Sequence, residues 1–201
     1  MAQGETGPGS GEAEDPYYSY KPSLMGAPWE FWLRPGALEW RAGRHQGRTP
    51  YGDITYVRLS YRPITMQTNR FLTELWSTNS PRLTIASSSW QSMVEQGSQI
   101  EPYGAFVREL HARMAAAGVR THFQAGMPGF LYWPGLAAFA GVVLATVILI
   151  IRAMLIGEWA AVALLGGFLA LFVWYSGRFF QRNRPRPYRP DAVPVDLVPL
   201  R

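Results

Sequence analysis

Apolar positions in this chain follow two regimes. Between Trp29 and Ser98 they come in short runs, often every second residue, broken by Gly, Pro, Asn and Ser. Beyond Phe130 they become continuous. "FLYWPGLAAFAGVVLATVILII", Phe130 to Ile151, holds no charge, and "LIGEWAAVALLGGFLALFVWYS", Leu155 to Ser176, holds only Glu158. A helix of that length rises about 33 Å, against a hydrocarbon core of about 30 Å. Soluble core helices seldom stay apolar on all sides for so long. The pattern predicts transmembrane helices over 129–151 and 155–176, joined by a very short turn. Ala137, Gly141 and Ala145 recur at intervals of four, as do Ala163 and Gly167. That spacing suits close backbone approach, either within the hairpin or between copies.

The first regime predicts a β domain over 29–124. "WEFWL" and "ALEWRAG" flank the turn signal "RPG", and "GRHQGRTPYGD" (43–53) reads as a basic loop. "ITYVRLSY" alternates, with Ile54, Tyr56, Arg58 and Ser60 on one face and Val57, Leu59 and Tyr61 on the other. "RFLTELW" and "RLTIASSSW" add two more strands, and another short one is expected within 91–100. "PYGAFVRELHARMAAAG" (102–118) reads as an amphipathic helix. Phe106, Val107, Leu110, Met114 and Ala117 line its apolar side, and Gly118 stops it. The expected fold class is an α+β membrane protein: a small antiparallel β domain of five or six strands with a C-terminal helix, followed by a transmembrane α-helical hairpin.

Charge sharpens the picture at the two ends. Residues 1–28 hold four acids against Lys21 among Gly, Pro and Ser, and are expected to be disordered. The segment 177–201 holds six arginines, five of them from Arg178 to Arg189, whereas the inter-helix turn has only Arg152. The positive-inside rule then puts this basic, Pro-rich tail in the cytoplasm, and two spans put the N-terminal domain there too. The formal net charge is +5. Its concentration beside an apolar segment argues for membrane topology and against nucleic acid as the partner. The end of the tail, from Val193 to Leu200, is apolar and acidic; it either folds back onto the domain or trails in solvent.

Within this pattern, "RTPYGDITYVRL" (48–59) and the terminal helix "FVRELHARMA" (106–115) resemble a bacterial pleckstrin-homology-like domain joined to a two-helix hairpin. "NRPRPYRPDAVPVDLVP" (183–199) is similar to the C-terminal ends of proteobacterial inner-membrane proteins. The resemblance implies a multi-pass protein of the bacterial inner membrane with both termini cytoplasmic. It carries no activity with it.

Candidate chemistry is sparse. The chain has no cysteine, no GxSxG, no HExxH and no GxxxxGK[ST]. His45, His111 and His122 are scattered without metal-ligand spacing. No catalytic residue, metal ligand or cofactor is assigned. The basic set Arg41, Arg44 and Arg48, with His45 among them and Arg58 and Arg62 beyond, is the one candidate site. Arg41, Arg44, Arg48 and Arg62 could bind lipid phosphates or an acidic partner, or be covered by the acids around Glu12, Glu14 and Asp15. The expected partners are the bilayer, anionic lipid headgroups or an integral-membrane protein. The expected role is a membrane-anchored, non-enzymatic binding or adaptor module. The alternatives are an accessory subunit of a larger membrane complex and an enzyme of lipid or envelope metabolism.

Overall fold

A computed structural model describes residues 15–23, 25–63, 69–90 and 96–198. Four strands, β1 (Tyr17–Tyr20), β2 (Trp29–Leu33), β3 (Ala37–Ala42) and β4 (His45–Pro50), form an antiparallel sheet in chain order. Strict alternation builds it. Tyr18, Phe31, Leu33, Leu38 and Trp40 point into the core, while Glu30, Trp32, Glu39 and Arg41 point out. A single 3₁₀ turn, Tyr51–Asp53, leads to the second sheet.

That sheet is built on β5 (Ile54–Pro63), β6 (Asn69–Ser77) and β7 (Leu83–Ala86), paired antiparallel. Val57, Leu59, Tyr61, Phe71, Thr73 and Leu75 face inward. The two sheets meet at a corner, where the Tyr18 and Tyr20 hydroxyls donate to the carbonyls of Ala86 and Thr84. Burial pushes both phenols up, so each stays a neutral donor. A small ribbon, β8 (Ser88–Trp90) with β9 (Gln96–Ser98), precedes helix α1 (Ile100–Ala116). The α1 residues Tyr103, Phe106, Val107, Leu110 and Met114 close the core, and Gly118 at φ +61° ends the helix turn.

After α1 the chain returns to the second sheet as β10 (His122–Ala125), parallel to β5. It then enters α2 (Gly129–Leu155), turns, and comes back as α3 (Trp159–Arg182). The turn closes as a Schellman motif: Gly157 at φ +81°, with the Glu158 N–H on Ala153 O and the Gly157 N–H on Met154 O. At about 1.5 Å per residue both helices exceed 30 Å. Both are long and apolar enough to cross a membrane, and their most apolar windows are almost wholly unburied. They meet along Phe139, Phe172 and Phe180, with ring centroids 5.3 and 5.4 Å apart. The small residues at 137, 141, 145, 163 and 167 are exposed instead. Self-packing through them is therefore corrected: the large rings set the spacing, and the small residues line the outer faces.

The base of the hairpin is locked to the sheet. Gly126 N–H donates to Leu59 O and Met127 N–H to Asn183 O. Where β10 ends, the buried Asn183 side chain replaces it, its Oδ1 accepting Tyr61 N–H at 3.1 Å. Beyond α3, β11 (Arg186–Pro187) pairs with β10, and the tail continues into the core, where Leu197 and Val198 are each 1% exposed. The tail folds back.

Several elements differ from the sequence expectation. Tyr17–Tyr20, expected within a disordered 1–28, is a paired strand; residues 1–14 lie outside the described residues. The strand count exceeds five or six because 45–50, 122–125 and 186–187 pair through backbone groups without an apolar alternation of their own. Both long helices extend past the expected ends, to Leu155 and Arg182, since nothing breaks them there.

Gly126 tests the joint. Its φ is +85°, and a Cβ there would collide with the Asn183 and Arg184 carbonyl oxygens. Gly126→Ala should destabilise the full chain in detergent by about 2 kcal/mol or more. It should also speed exchange of the Tyr61 amide, read by hydrogen exchange. An unchanged denaturation midpoint would mean that the joint is slack.

Candidate functional site

The outer face of the first sheet carries the open groove nearest to the residues expected from sequence. Register aligns Tyr17, Trp32, Glu39 and Arg48 in one cross-strand row and Ser19, Glu30, Arg41 and Gln46 in the next. A groove of about 420 Å³ opens there, lined by Trp32, Glu39, Trp40, Arg41, Gln46, Gly47 and Arg48. Gly47 is required by contact: a Cβ would lie 2.6 Å from the Trp40 ring. The Trp40 indole N–H donates to Thr49 Oγ1 at 3.1 Å, which holds the ring in place.

Charges on this face are largely matched. Arg41 lies 3.3 Å from Glu30, and its guanidinium sits 5.6 Å from the Trp32 ring centroid. Arg34 binds both Asp15 at 2.7 Å and Glu39 at 2.9 Å. Asp15 thus engages Arg34, and Arg113 at 3.7 Å, and does not cover the basic set. Glu12 and Glu14 lie outside the described residues. Arg48 lines the groove without an ion pair among the described residues, and Arg44 is exposed in the β3–β4 turn. Arg41, Arg44 and Arg48 therefore share one hairpin. Arg62 does not join them; it stands at the far end of β5, opposite Arg70. Sequence reasoning missed Tyr17 and Trp32 as the aromatic part of this face. The alternation of 29–33 was the available signal, since it opposes Trp32 to Phe31 and Leu33.

The titratable groups that could have marked a reaction centre are committed elsewhere. Glu74, 3% exposed, binds Arg58 at 2.6 Å and also Arg82, and both guanidiniums lie over the Trp76 ring. His111, fully buried on α1, donates from Nδ1 to Val107 O at 2.7 Å, so its Nε2 accepts from the Tyr188 hydroxyl at 2.8 Å. Asp53 accepts from Asn79 Nδ2 at 3.2 Å. His45 and His122 are exposed. Among the described residues no group of three or more His, Cys, Asp or Glu could hold a metal ion. No protein-family model, curated protein or solved structure matches the chain.

His111 also reports tail docking, because its partner Tyr188 belongs to the tail. Burial pushes its pKa from 6.5 down to about 4, against the opposing Val107 bond. The unfolded chain takes up a proton near pH 6.5 that the folded one refuses until about 4. The contribution of His111 is thus complete above 6.5 and shrinks as pH falls toward 4, by on the order of 3 kcal/mol. Denaturation of wild type and His111→Gln across that range should show a steeper fall for wild type. Parallel curves would sink the assignment.

Proposed function

We propose that the chain is a membrane-anchored, non-enzymatic binding module. Its β domain stands at the cytoplasmic face of a bacterial inner membrane, and the outer face of the first sheet receives a polypeptide partner. The observation that carries the reading is the exposure of the hairpin. Beyond the seam at its base, α2 and α3 expose Leu144, Ile148, Leu164, Phe168 and Leu171 to their surroundings. A soluble chain rarely leaves so large a contiguous apolar surface uncovered. Trp133 and Trp174, both exposed, stand at the end where α2 starts and α3 finishes, with the Arg178 guanidinium 4.5 Å from the Trp174 ring centroid. Aromatic and basic residues at that level suit a headgroup boundary, and the arginine excess at this end favours a cytoplasmic location.

The pleckstrin-homology-like identity belongs to the same proposal. Nine strands precede α1, four in the first sheet, three in the second and two in the β8–β9 ribbon, all paired antiparallel, and a run of antiparallel strands closed by a helix is what supports that reading. The groove favours a segment with apolar and acidic side chains: Trp32 offers ring surface, Arg48 lines the groove and Arg44 is exposed in the adjoining turn, neither arginine with an ion pair among the described residues. A second reading, the accessory subunit, draws support from the outward-facing Ala137, Gly141 and Ala145, since nothing lies within 4 Å of the Cβ position of Gly141.

Two measurements test the proposal. A reporter active only outside the cytoplasm should be silent when fused after Arg201 and active when inserted at Gly157; the reverse would invert the molecule. A photo-crosslinking residue at Gln46 should yield a discrete protein adduct in cells that Trp32→Ala removes. The same residue at exposed Thr78 should not. Equal adducts at both positions would refute the groove.

A further inference from the structure

Two buried polar atoms without a partner among the described residues lie on one face of one strand pair. In the β5–β6 register Ser60 opposes Leu72 and Arg62 opposes Arg70. Residues two apart share a face, so Ser60, Arg62 and Arg70 stand together. This is the face away from α1, which reaches the other side through the Thr73–Tyr103 hydroxyl contact at 2.7 Å. Ser60 Oγ and Arg70 Nε are buried, and neither has a hydrogen-bond partner among the described residues. Buried polar groups in folded proteins nearly always have one. Arg62 and Arg70 are like charges directly across a ladder, an arrangement that repels. Burial, and the Arg62 charge with it, weakens the hold of Arg70 on its proton, and the nearby Tyr20 opposes that shift.

The same face shows what such a row looks like when satisfied. Two rungs away Arg58 meets Glu74. At the Arg62–Arg70 rung no described residue supplies a carboxylate. The rung is also placed with purpose. β10 runs parallel to β5 and leads straight into α2, and the Tyr61 N–H is held by Asn183 at the end of α3. Arg62 and Arg70 lie one residue beyond Tyr61 and Phe71, toward the hairpin. The Arg182 guanidinium, 4.9 Å from the Tyr61 ring centroid, marks the same level on the opposite face.

We propose that Ser60, Arg62 and Arg70 bind the phosphate of an anionic phospholipid headgroup. Guanidiniums pair with phosphate oxygens by parallel N–H bonds, and the Ser60 hydroxyl supplies a further donor. Two uncompensated positive charges select a lipid of net negative charge over a zwitterionic one, which brings its own cation. The site rests on the reading of α2 and α3 as membrane spans, because only then does a headgroup sit at this rung. It separates Arg62 from Arg41, Arg44 and Arg48, which serve a different face.

The test uses the full chain in nanodiscs of phosphatidylcholine, with and without phosphatidylglycerol, followed by native mass spectrometry of retained lipid. Wild type should keep phosphatidylglycerol. Arg62→Gln, an exposed position that should leave the fold intact, should lower that retention roughly tenfold, the loss of one charge-assisted bond. Arg70→Gln should do at least as much, with its denaturation midpoint measured alongside. Arg41→Gln with Arg48→Gln should change nothing. Equal retention by Arg62→Gln and wild type overturns the site. Protection of the domain by inorganic phosphate, with no preference for phosphatidylglycerol, reassigns it to a free anion and overturns the lipid. A chain that stays out of membranes overturns the anchor itself, whereas one that inserts without lipid preference overturns only this site.

Discussion

Two carbonyl oxygens occupy the space where Gly126 would carry a side chain, and much of the molecule depends on that close approach. The backbone passes from β10 into α2 at this point, while α3 ends against it. Gly126 ties to Leu59, Met127 to Asn183, and Asn183 to Tyr61, so three segments distant in sequence share one seam. Each bond is buried or nearly so, and each lost partner would strand a polar group at a cost of about 1–3 kcal/mol. The domain therefore cannot swivel freely on its helices. If those helices lie in a bilayer, the outer face of the first sheet has one fixed orientation to it, which is what a docking module needs.

The tail extends the same logic. Proline recurs from 185 to 199, which removes ladder donors and limits β11 to two residues. The remainder docks by side chains: Tyr188 between His111 and Phe123, with ring centroids 5.7 and 5.5 Å away, and Leu197 and Val198 in the core. Arg186 on Asp196 at 2.5 Å closes the loop between these anchors. The β domain thus buries apolar residues that follow the hairpin in the chain. Residues 29–124 by themselves would leave that part of the core open, so the β domain and the hairpin with its tail form one folding unit.

How much of this the sequence disclosed depended on whether a residue's role is local. The apolar helices, the alternation of Ile54–Tyr61 and the stripe of α1 are periodic signals, and the structure agrees with them. Tyr17–Tyr20 follows a Gly- and acid-rich stretch, and only its partner β2 makes it a strand. His45–Pro50 has no apolar alternation; its ladder comes from β3, and Gly47 matters because the Trp40 ring occupies its place. The small-residue spacing was legible, but which side of the helix it faced was not, since Phe139 and Phe172 decide that from two different helices. Among the expected site residues, Arg41 and Arg48 share a face through hairpin register. Arg62 was grouped with them only by nearness in sequence.

Following each carboxylate to its partner makes the charge distribution intelligible. Glu30, Glu39, Glu74, Glu109, Asp191 and Asp196 each bind an arginine close to them in space. Glu74 apart, which is buried, these pairs are exposed or half-exposed and contribute about 0–1 kcal/mol each, so their main effect is to neutralise the surface locally. The positive charge left over is not spread evenly. Arg178 and Arg182 rest on aromatic rings at the base of the hairpin, and Arg62 and Arg70 face each other at the same end of β5 and β6. A basic pI alone would suggest nucleic acid, which needs a continuous accessible stripe. Here the arginines that lack a carboxylate partner among the described residues gather near the point where the helices leave the domain, and the headgroup site proposed above would give them an anionic lipid as counter-charge.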